Sequence, residues 1–249
     1  MATVAVLADP PIEGFVLPGL VADTPLSPDE ASRLYGAMLV DVCRAVQHGG
    51  ADLLVNYRDP DQVPGDVDSE GRLRDLLSGA PEAPSEARYE VQVGETFAGR
   101  AGNTVTHLLD REDEDTVAVV EPTAAFLGRQ QIGTAAMKLR SSEVVLGPTA
   151  GGRLYYAGFA APVEFTDAWA RPAVETLAGR AREADLGVDF LPMSPVVETA
   201  DDLASALAQL RARRRADRLV PARTAALIEE LGLVPEAGDG GLSVGRSAD

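Results

Sequence analysis

The chain has 249 residues, of which 45% are hydrophobic, so it can bury a sizeable core, and we expect one α/β unit. Its 22 Lys and Arg residues stand against 39 Asp and Glu residues, which gives a formal net charge of −17. Such a charge repels phosphate backbones and anionic lipid surfaces, so neither nucleic acid nor a membrane is an expected partner.

The acids are spread along the chain, and Lys138 is the one lysine among the basic residues. This pattern is typical of a cytosolic protein from a salt-in halophile, and an ordinary acidic protein is the alternative. Cys43 is the single cysteine, in an apolar helical stretch that favours a buried thiol in a reducing compartment. Asp9 interrupts the first apolar run and no stretch approaches the ~20 apolar residues of a spanning helix, so we expect a cytoplasmic protein.

The first predicted elements form a βαβ unit. Residues 3–8 are an apolar run that predicts a buried strand, ending before two prolines. Ser27 and Glu30 have the spacing of a capping box, with Pro28 at the first helical position, and predict a helix to about Gln47. Residues 52–57 predict the second strand, which completes a right-handed unit.

The later elements follow from apolar patterning and from Gly and Pro positions. We predict one α/β domain over residues 1–215, with a three-layer α/β/α arrangement and a mixed, mainly parallel sheet, then a C-terminal helix and disordered tail over residues 216–249. The predicted elements are a mobile excursion at 58–88 with a short amphipathic piece at 73–77, strands at 89–93, 117–120, 143–146, 154–159 and 188–191, helices at 97–109, 167–184, 201–215 and 221–232, and a frayed end from 234 onward.

Two strand ends are the first places to look for a ligand, because ligands of open α/β sheets bind at the carboxyl ends of strands. Glu121, Pro122 and Thr123 follow the strand at 117–120, and a Gly-rich turn follows the strand at 143–146. A single acid in the two loops is little support for a metal-diphosphate site.

Several segments follow one another in a distinctive order: the first strand and its loop, LSPDEASRLYGAMLVDV at 26–42, VVLGPTAGGRLYYAGF at 144–159, Trp169 and LPMSPVVETADDL at 191–203. Together they resemble a small glycosyltransferase-A-type family of nucleotide-diphospho-sugar transferase-like proteins, a domain of unknown function related to phospholactate guanylyltransferases. The resemblance covers residues 3–210. The resemblance implies a Rossmann-like fold and a nucleotide or nucleotide-sugar donor held with a divalent cation.

The motifs that handle phosphate and metal in that family are altered in this chain. The loop after the first strand, which resembles a Lys/Arg-rich phosphate cradle in the family, has no base here and contains Asp9 and Glu13, which would repel a diphosphate. Thr123 stands where the family's metal-binding Asp would be, and Gly151 replaces another acid. Acidic enrichment cannot explain these losses, because they run against the composition.

The remaining motifs keep a weaker trace. The family's Asp-Gly-Gly-Tyr-Tyr corresponds here to Gly151-Gly152-Arg153-Leu154-Tyr155, which adds Arg153, and its Asp-Val-Asp-Thr motif survives in a form that contains Glu198. Each residue also has a structural interpretation: a tight turn for the glycines, a surface acid partner for Arg153, and helix docking for Trp169. The candidate substrate-binding residues are Asp9, Glu121, Thr123, Gly151, Gly152, Arg153, Trp169 and Glu198.

Two functions compete. In the first, the protein is a non-catalytic, regulatory or small-molecule-binding relative, a pseudoenzyme with no expected cofactor, whose ligand or protein partner is undefined. In the second, it is a diverged nucleotidyltransferase or glycosyltransferase that holds Mg²⁺ or Mn²⁺ through Glu121 and Glu198 and phosphate through Arg153. Neither hypothesis assigns a catalytic residue.

Overall fold

A computed structural model describes residues 2–80, 87–238 and 241–247. The strands are β1 (Ala2–Ala8), β2 (Asp52–Tyr57), β3 (Arg88–Val91), β4 (Thr116–Val120), β5 (Val144–Pro148), β6 (Leu154–Phe159), β7 (Val188–Phe190), β8 (Leu233–Gly238) and β9 (Gly241–Arg246). The helices are α1 (Pro18–Asp23), α2 (Pro28–His48), α3 (Ser69–Ser78), α4 (Phe97–Arg111), α5 (Arg129–Lys138), α6 (Ala173–Glu183), α7 (Ala200–Arg215) and α8 (Ala222–Glu230).

The described residues form a seven-stranded sheet in the order β3-β2-β1-β4-β6-β5-β7. β1 pairs in parallel with β2 and β4, β2 with β3, and β5 with β7. β6 runs antiparallel to both of its neighbours, β4 and β5. The sheet is therefore mixed and mainly parallel, as the sequence predicted.

Helices cover both faces of this sheet. Apolar residues of α2, α3 and α5 pack on one face, and those of α4 and α6 pack on the other. A further cluster joins α1, α2, α7 and α8 beside the sheet. The strand residues alternate between the two faces, so Val4 and Val6 belong to one core and Ala5 and Leu7 to the other.

Helix α2 begins at the capping box that its sequence predicted. The Glu30 amide donates to the Ser27 hydroxyl at 3.2 Å, and the Ser27 amide donates to the Glu30 carboxylate at 2.8 Å. Leu34 and Met38 on its inner face are fully buried. Local capping and the apolar stripe therefore agree, which is why this helix could be predicted from sequence.

Two predicted segments differ in the structure. The helix expected at 167–184 begins at Ala173, because a residue that precedes proline disfavours the helical region and Arg171 precedes Pro172. The end of the chain is a β8–β9 hairpin rather than a frayed tail over its described residues. This hairpin packs on α7, and Arg246 anchors it by donating to the carbonyls of Leu231 at 2.8 Å and Pro25 at 3.0 Å.

The segment at 58–88, which was predicted to be mobile apart from a short amphipathic piece at 73–77, contains a longer helix. Helix α3 begins after Asp68, whose carboxylate accepts from the Gly71 amide at 2.9 Å, and it buries Leu73 and Leu77 against the sheet. The predicted mobility falls partly on residues 81–86, which lie outside the described residues. No helix in the described ranges combines the length and the apolarity that crossing a membrane requires.

Asp41 joins two helices at a buried position. It is 8% exposed on α2, and its carboxylate accepts from the amides of Arg223 at 3.1 Å and Thr224 at 2.8 Å and from the Thr224 hydroxyl at 2.8 Å. These amides belong to the first turn of α8, which lacks a side-chain cap of its own. An acid of α2 thus caps α8 and complements its dipole.

We expect Asp41→Ala to lower the free energy of unfolding by about 2–3 kcal/mol, because it leaves buried donors without an acceptor. Asp41→Asn keeps one acceptor oxygen and should lose less. Equilibrium denaturation measures both effects, with Asp110→Ala, at an exposed helical aspartate, as the control. Equal losses for Asp41→Ala and Asp110→Ala would contradict the capping role.

Candidate functional site: a cleft at the ends of the parallel strands

Four neighbouring strands deliver polar side chains to one edge of the sheet. Asp9, Arg58, Gln92 and Glu121 directly follow β1, β2, β3 and β4, and all four line a cleft of about 400 Å³. Parallel strands end at the same edge, so these residues meet although they are far apart in sequence. A volume of this size suits a small molecule.

The remaining walls of the cleft come from loops and helix starts. Residues around α1 supply an apolar wall, and the start of α4 supplies one aromatic ring and one guanidinium. The segment before α6 and the residues directly before α7 also line the cleft. These lining residues include Phe15, Val16, Leu17, Phe97, Arg100, Arg171, Thr123 and Glu198.

Asp9 does not present a free negative charge to the cleft. Its Oδ1 lies 2.9 Å from the Arg58 Nε, and its Oδ2 accepts from the Arg58 Nη2 at 3.2 Å. Burial raises the pKa of Asp9, while the charges of Arg58 and Arg100 oppose that rise. The sequence analysis expected Asp9 and Glu13 to repel an anion, and the structure corrects both expectations. The charge of Asp9 is paired with Arg58, and Glu13 is exposed and lines a separate groove beside α2.

Arg100 is a cleft residue that the sequence prediction missed. It is 4% exposed, its Nε donates to the Gln92 Oε1 at 2.6 Å, and its Nη1 donates to the Glu95 carbonyl at 2.9 Å. Gln92 in turn donates to backbone carbonyls at the ends of β1 and β2. The available signal was a charged residue on the apolar stripe of α4, three residues after Phe97 and one before Ala101.

Arg58 was also missed, and its signal was position alone. It is the first residue after β2, and at the carboxyl end of a parallel strand such a residue faces the ligand edge. Arg58 and Arg100 therefore bring positive charge to a cleft whose first loop contains no base.

Glu121 lies at the floor of the cleft and stays partly accessible from it. Burial, followed by the nearby carboxylates of Glu198 and Asp9, raises the pKa of Glu121 to about 8. The charges of Arg100 and Arg153 oppose this rise. The side chain is thus mainly a neutral acid at neutral pH, able to donate a hydrogen bond.

A second charged cluster joins β6 to α7. Arg153 donates to both oxygens of Asp202 at 2.7 and 2.8 Å and to the Glu198 Oε2 at 2.7 Å. The Thr123 hydroxyl donates to the Glu198 Oε1 at 3.3 Å. The hydrogen bonds that Arg153 donates to Asp202 are the largest influence that raises the pKa of its guanidinium, which stays charged. Both acids are thereby paired with a cation of the chain itself.

Four of the eight predicted site residues do not line the cleft. Arg153 touches it only through Glu198. Gly151 and Gly152 form the turn before Arg153, both with φ of +70°, and a Cβ on Gly152 would meet Pro172 at 2.8 Å. Trp169 packs edge-on against Phe97, with 5.5 Å between the ring centroids, and so supports a residue of the cleft wall without lining the cleft itself. Asp9, Glu121, Thr123 and Glu198 do line it.

The tyrosines after this turn depart from simple strand alternation. Alternation alone would place one ring inward and one outward, but Tyr155 and Tyr156 are both buried. The reason is that β6 is an interior strand, so both of its faces are covered. Neither ring is therefore presented to solvent.

The residues present do not fit a divalent cation. Hard cations bind several uncommitted oxygen ligands, whereas Asp9, Glu198 and Asp202 are each paired with an arginine. Across the described ranges, no group of three or more His, Cys, Asp or Glu side chains is placed to hold a metal ion.

Comparison with solved structures defines the fold. A candidate nucleotide-diphospho-sugar transferase from Desulfovibrio desulfuricans G20 superposes with a TM-score of 0.72 at 22% identity, covering 92% of this chain and 94% of that one. The 4-diphosphocytidyl-2C-methyl-D-erythritol synthase of Anaerococcus prevotii DSM 20548 gives 0.52 at 14% identity, over 85% of this chain and 98% of that one. No protein-family model and no curated protein matches the sequence.

The chain therefore has the Rossmann-like fold of nucleotide-diphospho-sugar transferases, as its sequence predicted. At these identities the likeness establishes the fold and leaves the activity to be argued from the cleft.

The raised pKa of Glu121 predicts a pH dependence of stability. Between the ordinary carboxyl pKa and about 8, the folded state keeps a proton that the unfolded state has lost. The free energy of unfolding should therefore fall as pH rises through this window, by at most about 1.4 kcal/mol per pH unit from this group. Glu121→Gln has no proton to lose, so its stability relative to the wild type should rise with pH and level off above about 8.

Equilibrium denaturation from pH 5 to pH 9 measures this difference at about one-unit steps. Glu13→Gln, at an exposed glutamate outside the cleft, is the control. Parallel curves for the wild type and Glu121→Gln would show that Glu121 titrates as an ordinary carboxyl group.

Proposed function

We propose that this protein binds a small molecule in the strand-end cleft without a divalent cation and without catalysing transfer. The observation that carries the proposal is the clamp of Arg153 on Glu198 and Asp202. Arg153 supplies inside the chain the positive charge that a bound metal ion would bring. Nucleotides and nucleotide-sugars are the first ligands to test, because the fold is that of proteins named for them.

The energetics of the clamp support this assignment. The side chains of Arg153 and Asp202 are 12% and 10% exposed, so the pair is shielded from solvent. Removing one partner of a buried pair typically costs about 3–5 kcal/mol, because the other charge is left alone. A divalent cation that binds either carboxylate would have to break this pair, and its binding energy would have to exceed that penalty.

A diverged nucleotidyltransferase or glycosyltransferase remains the competing hypothesis, as does a closer relation to phospholactate guanylyltransferases. For a transferase of this kind, Glu121 and Glu198 would have to hold the cation. Glu198 is paired with Arg153, and the high pKa of Glu121 opposes the charged form that binds metal. Both features favour the non-catalytic function.

We expect nucleoside triphosphates or nucleotide-sugars that bind to raise the melting temperature equally with and without Mg²⁺ or Mn²⁺. Thermal unfolding in molar potassium chloride tests this, since the acidic composition suits high salt. Turnover of any of these compounds, or stabilisation that requires the metal, would overturn the proposal in favour of a diverged transferase.

Arg153→Ala should uncover the two carboxylates. We expect the variant to lose about 3 kcal/mol of stability and to gain stabilisation by Mn²⁺ alone, because Glu198 and Asp202 then lack a cation. Wild-type protein should not respond to Mn²⁺. The double variant Arg153→Ala/Glu198→Gln is the control and should respond less than Arg153→Ala. A wild-type melting temperature that rises with Mn²⁺ would show that the clamp does not exclude metal.

A further inference from the structure

A buried cation in the cleft has only neutral hydrogen-bond partners. Arg100 is 4% exposed, and its bonds go to the amide oxygen of Gln92 and the backbone carbonyl of Glu95. Its Nη2 makes no hydrogen bond within the part of the chain that the structure describes. A buried charge is costly unless an opposite charge compensates it, so this guanidinium is suited to an anion from outside the chain.

The surroundings of Arg100 add to its unmet charge. Burial, followed by the positive charge of nearby Arg58, lowers the pKa of Arg100. The nearby carboxylates of Asp9 and Glu121 favour the charged form, but Asp9 already pairs with Arg58 and Glu121 is mainly neutral at pH 7. Positive charge therefore exceeds negative charge on this wall of the cleft.

A third arginine lines the same cleft. Arg171 is exposed two residues before the start of α6, and no ion pair or hydrogen bond reaches its side chain from within residues 2–80, 87–238 and 241–247. Arginines are the side chains best able to bind phosphate or carboxylate in fork geometry. Arg171 is thus available to bind an anion in the same cleft as Arg100.

Arg100 is also held in place before any ligand arrives. Gln92 is 2% exposed and fixes the Arg100 Nε through a 2.6 Å bond, while its own amide donates to the carbonyls of Ala8 at 3.3 Å and Asn56 at 2.7 Å. A guanidinium fixed by a rigid sheet loses little entropy on binding. The hydrogen bonds of Gln92 thus hold the guanidinium in position, in addition to connecting the ends of β1 and β2.

We infer that Arg100 and Arg171, with Arg58 beside them, form a subsite that binds an oxyanion group of a small molecule directly. The group is a phosphate or a carboxylate, and Phe15 and Phe97 offer apolar surface to the rest of the molecule. This subsite stands on different elements from the loop after β1, which contains no base. The inference rests on the proposed function, because it names the chemistry of the ligand that the cleft takes.

The test uses full-length protein with inorganic phosphate or acetate as the probe, at constant ionic strength and without divalent cations. Phosphate, acetate or both should raise the melting temperature of the wild type, and the stronger of the two identifies the class of ligand. Arg171→Gln should lower the affinity for the anion roughly tenfold, and Arg100→Gln should lower this affinity at least as much. Arg140→Gln, an exposed arginine at the opposite edge of the sheet, should bind like the wild type.

Arg171→Gln keeps the test valid if Arg100→Gln folds poorly, since Arg171 has no partner within the described residues to lose. No stabilisation by either anion, or equal anion affinity in Arg171→Gln and Arg140→Gln, would overturn the subsite. The proposal that the cleft binds its ligand without a metal ion would then still be tested separately, by the response of Arg153→Ala to Mn²⁺. Stabilisation by phosphate only when Mg²⁺ is present would overturn the direct contact that we infer.

Discussion

The parallel pairing of β1 with β2 and β4 decides where the charged side chains of this protein meet. Each strand places its next residue at the same edge, so Asp9, Arg58 and Glu121 converge there without any sequence proximity. That edge is partly shielded from water, and a shielded charge is costly unless it is compensated. The chain meets this requirement in two ways: it pairs Asp9 with Arg58, and it keeps Glu121 mainly protonated.

The same requirement explains why the acids before and within α7 are paired with Arg153. Asp202 caps the helix by accepting from the amides of Thr199 at 3.0 Å and Glu198 at 3.2 Å, and it also receives both contacts from Arg153. Both of its oxygens therefore already accept hydrogen bonds from the chain. The turn at Gly151 and Gly152 delivers Arg153 to this position, because two successive left-handed residues suit glycine alone. Arg153, Glu198 and Asp202 thus form one ionic unit.

The sequence predicted the sheet and α2 well because local signals agreed with tertiary packing there. Strand apolarity, the capping box at Ser27 and the apolar stripe of α2 all specify the same fold. Arg100 was missed because a charged residue on a buried helical stripe is ordinarily counted as a surface residue. The β8–β9 hairpin was missed because its Gly-rich composition conceals pairing that α7 and Arg246 support from elsewhere in the chain. The hairpin depends on contacts between distant segments, which periodicity cannot reveal, whereas the signal for Arg100 was present in the apolar stripe of α4.

The overall charge and the cleft charge act over different ranges. A formal charge of −17 repels an approaching anion, but this repulsion is screened within about 10 Å at 0.1 M salt and about 3 Å at 1 M. Contacts inside the cleft are shorter than either distance, and a buried guanidinium such as Arg100 is screened far less than the surface acids. Salt therefore removes the long-range penalty while it leaves the short-range attraction largely intact. At high salt, such a cleft would select an anion by the geometry of its arginines rather than by electrostatic steering.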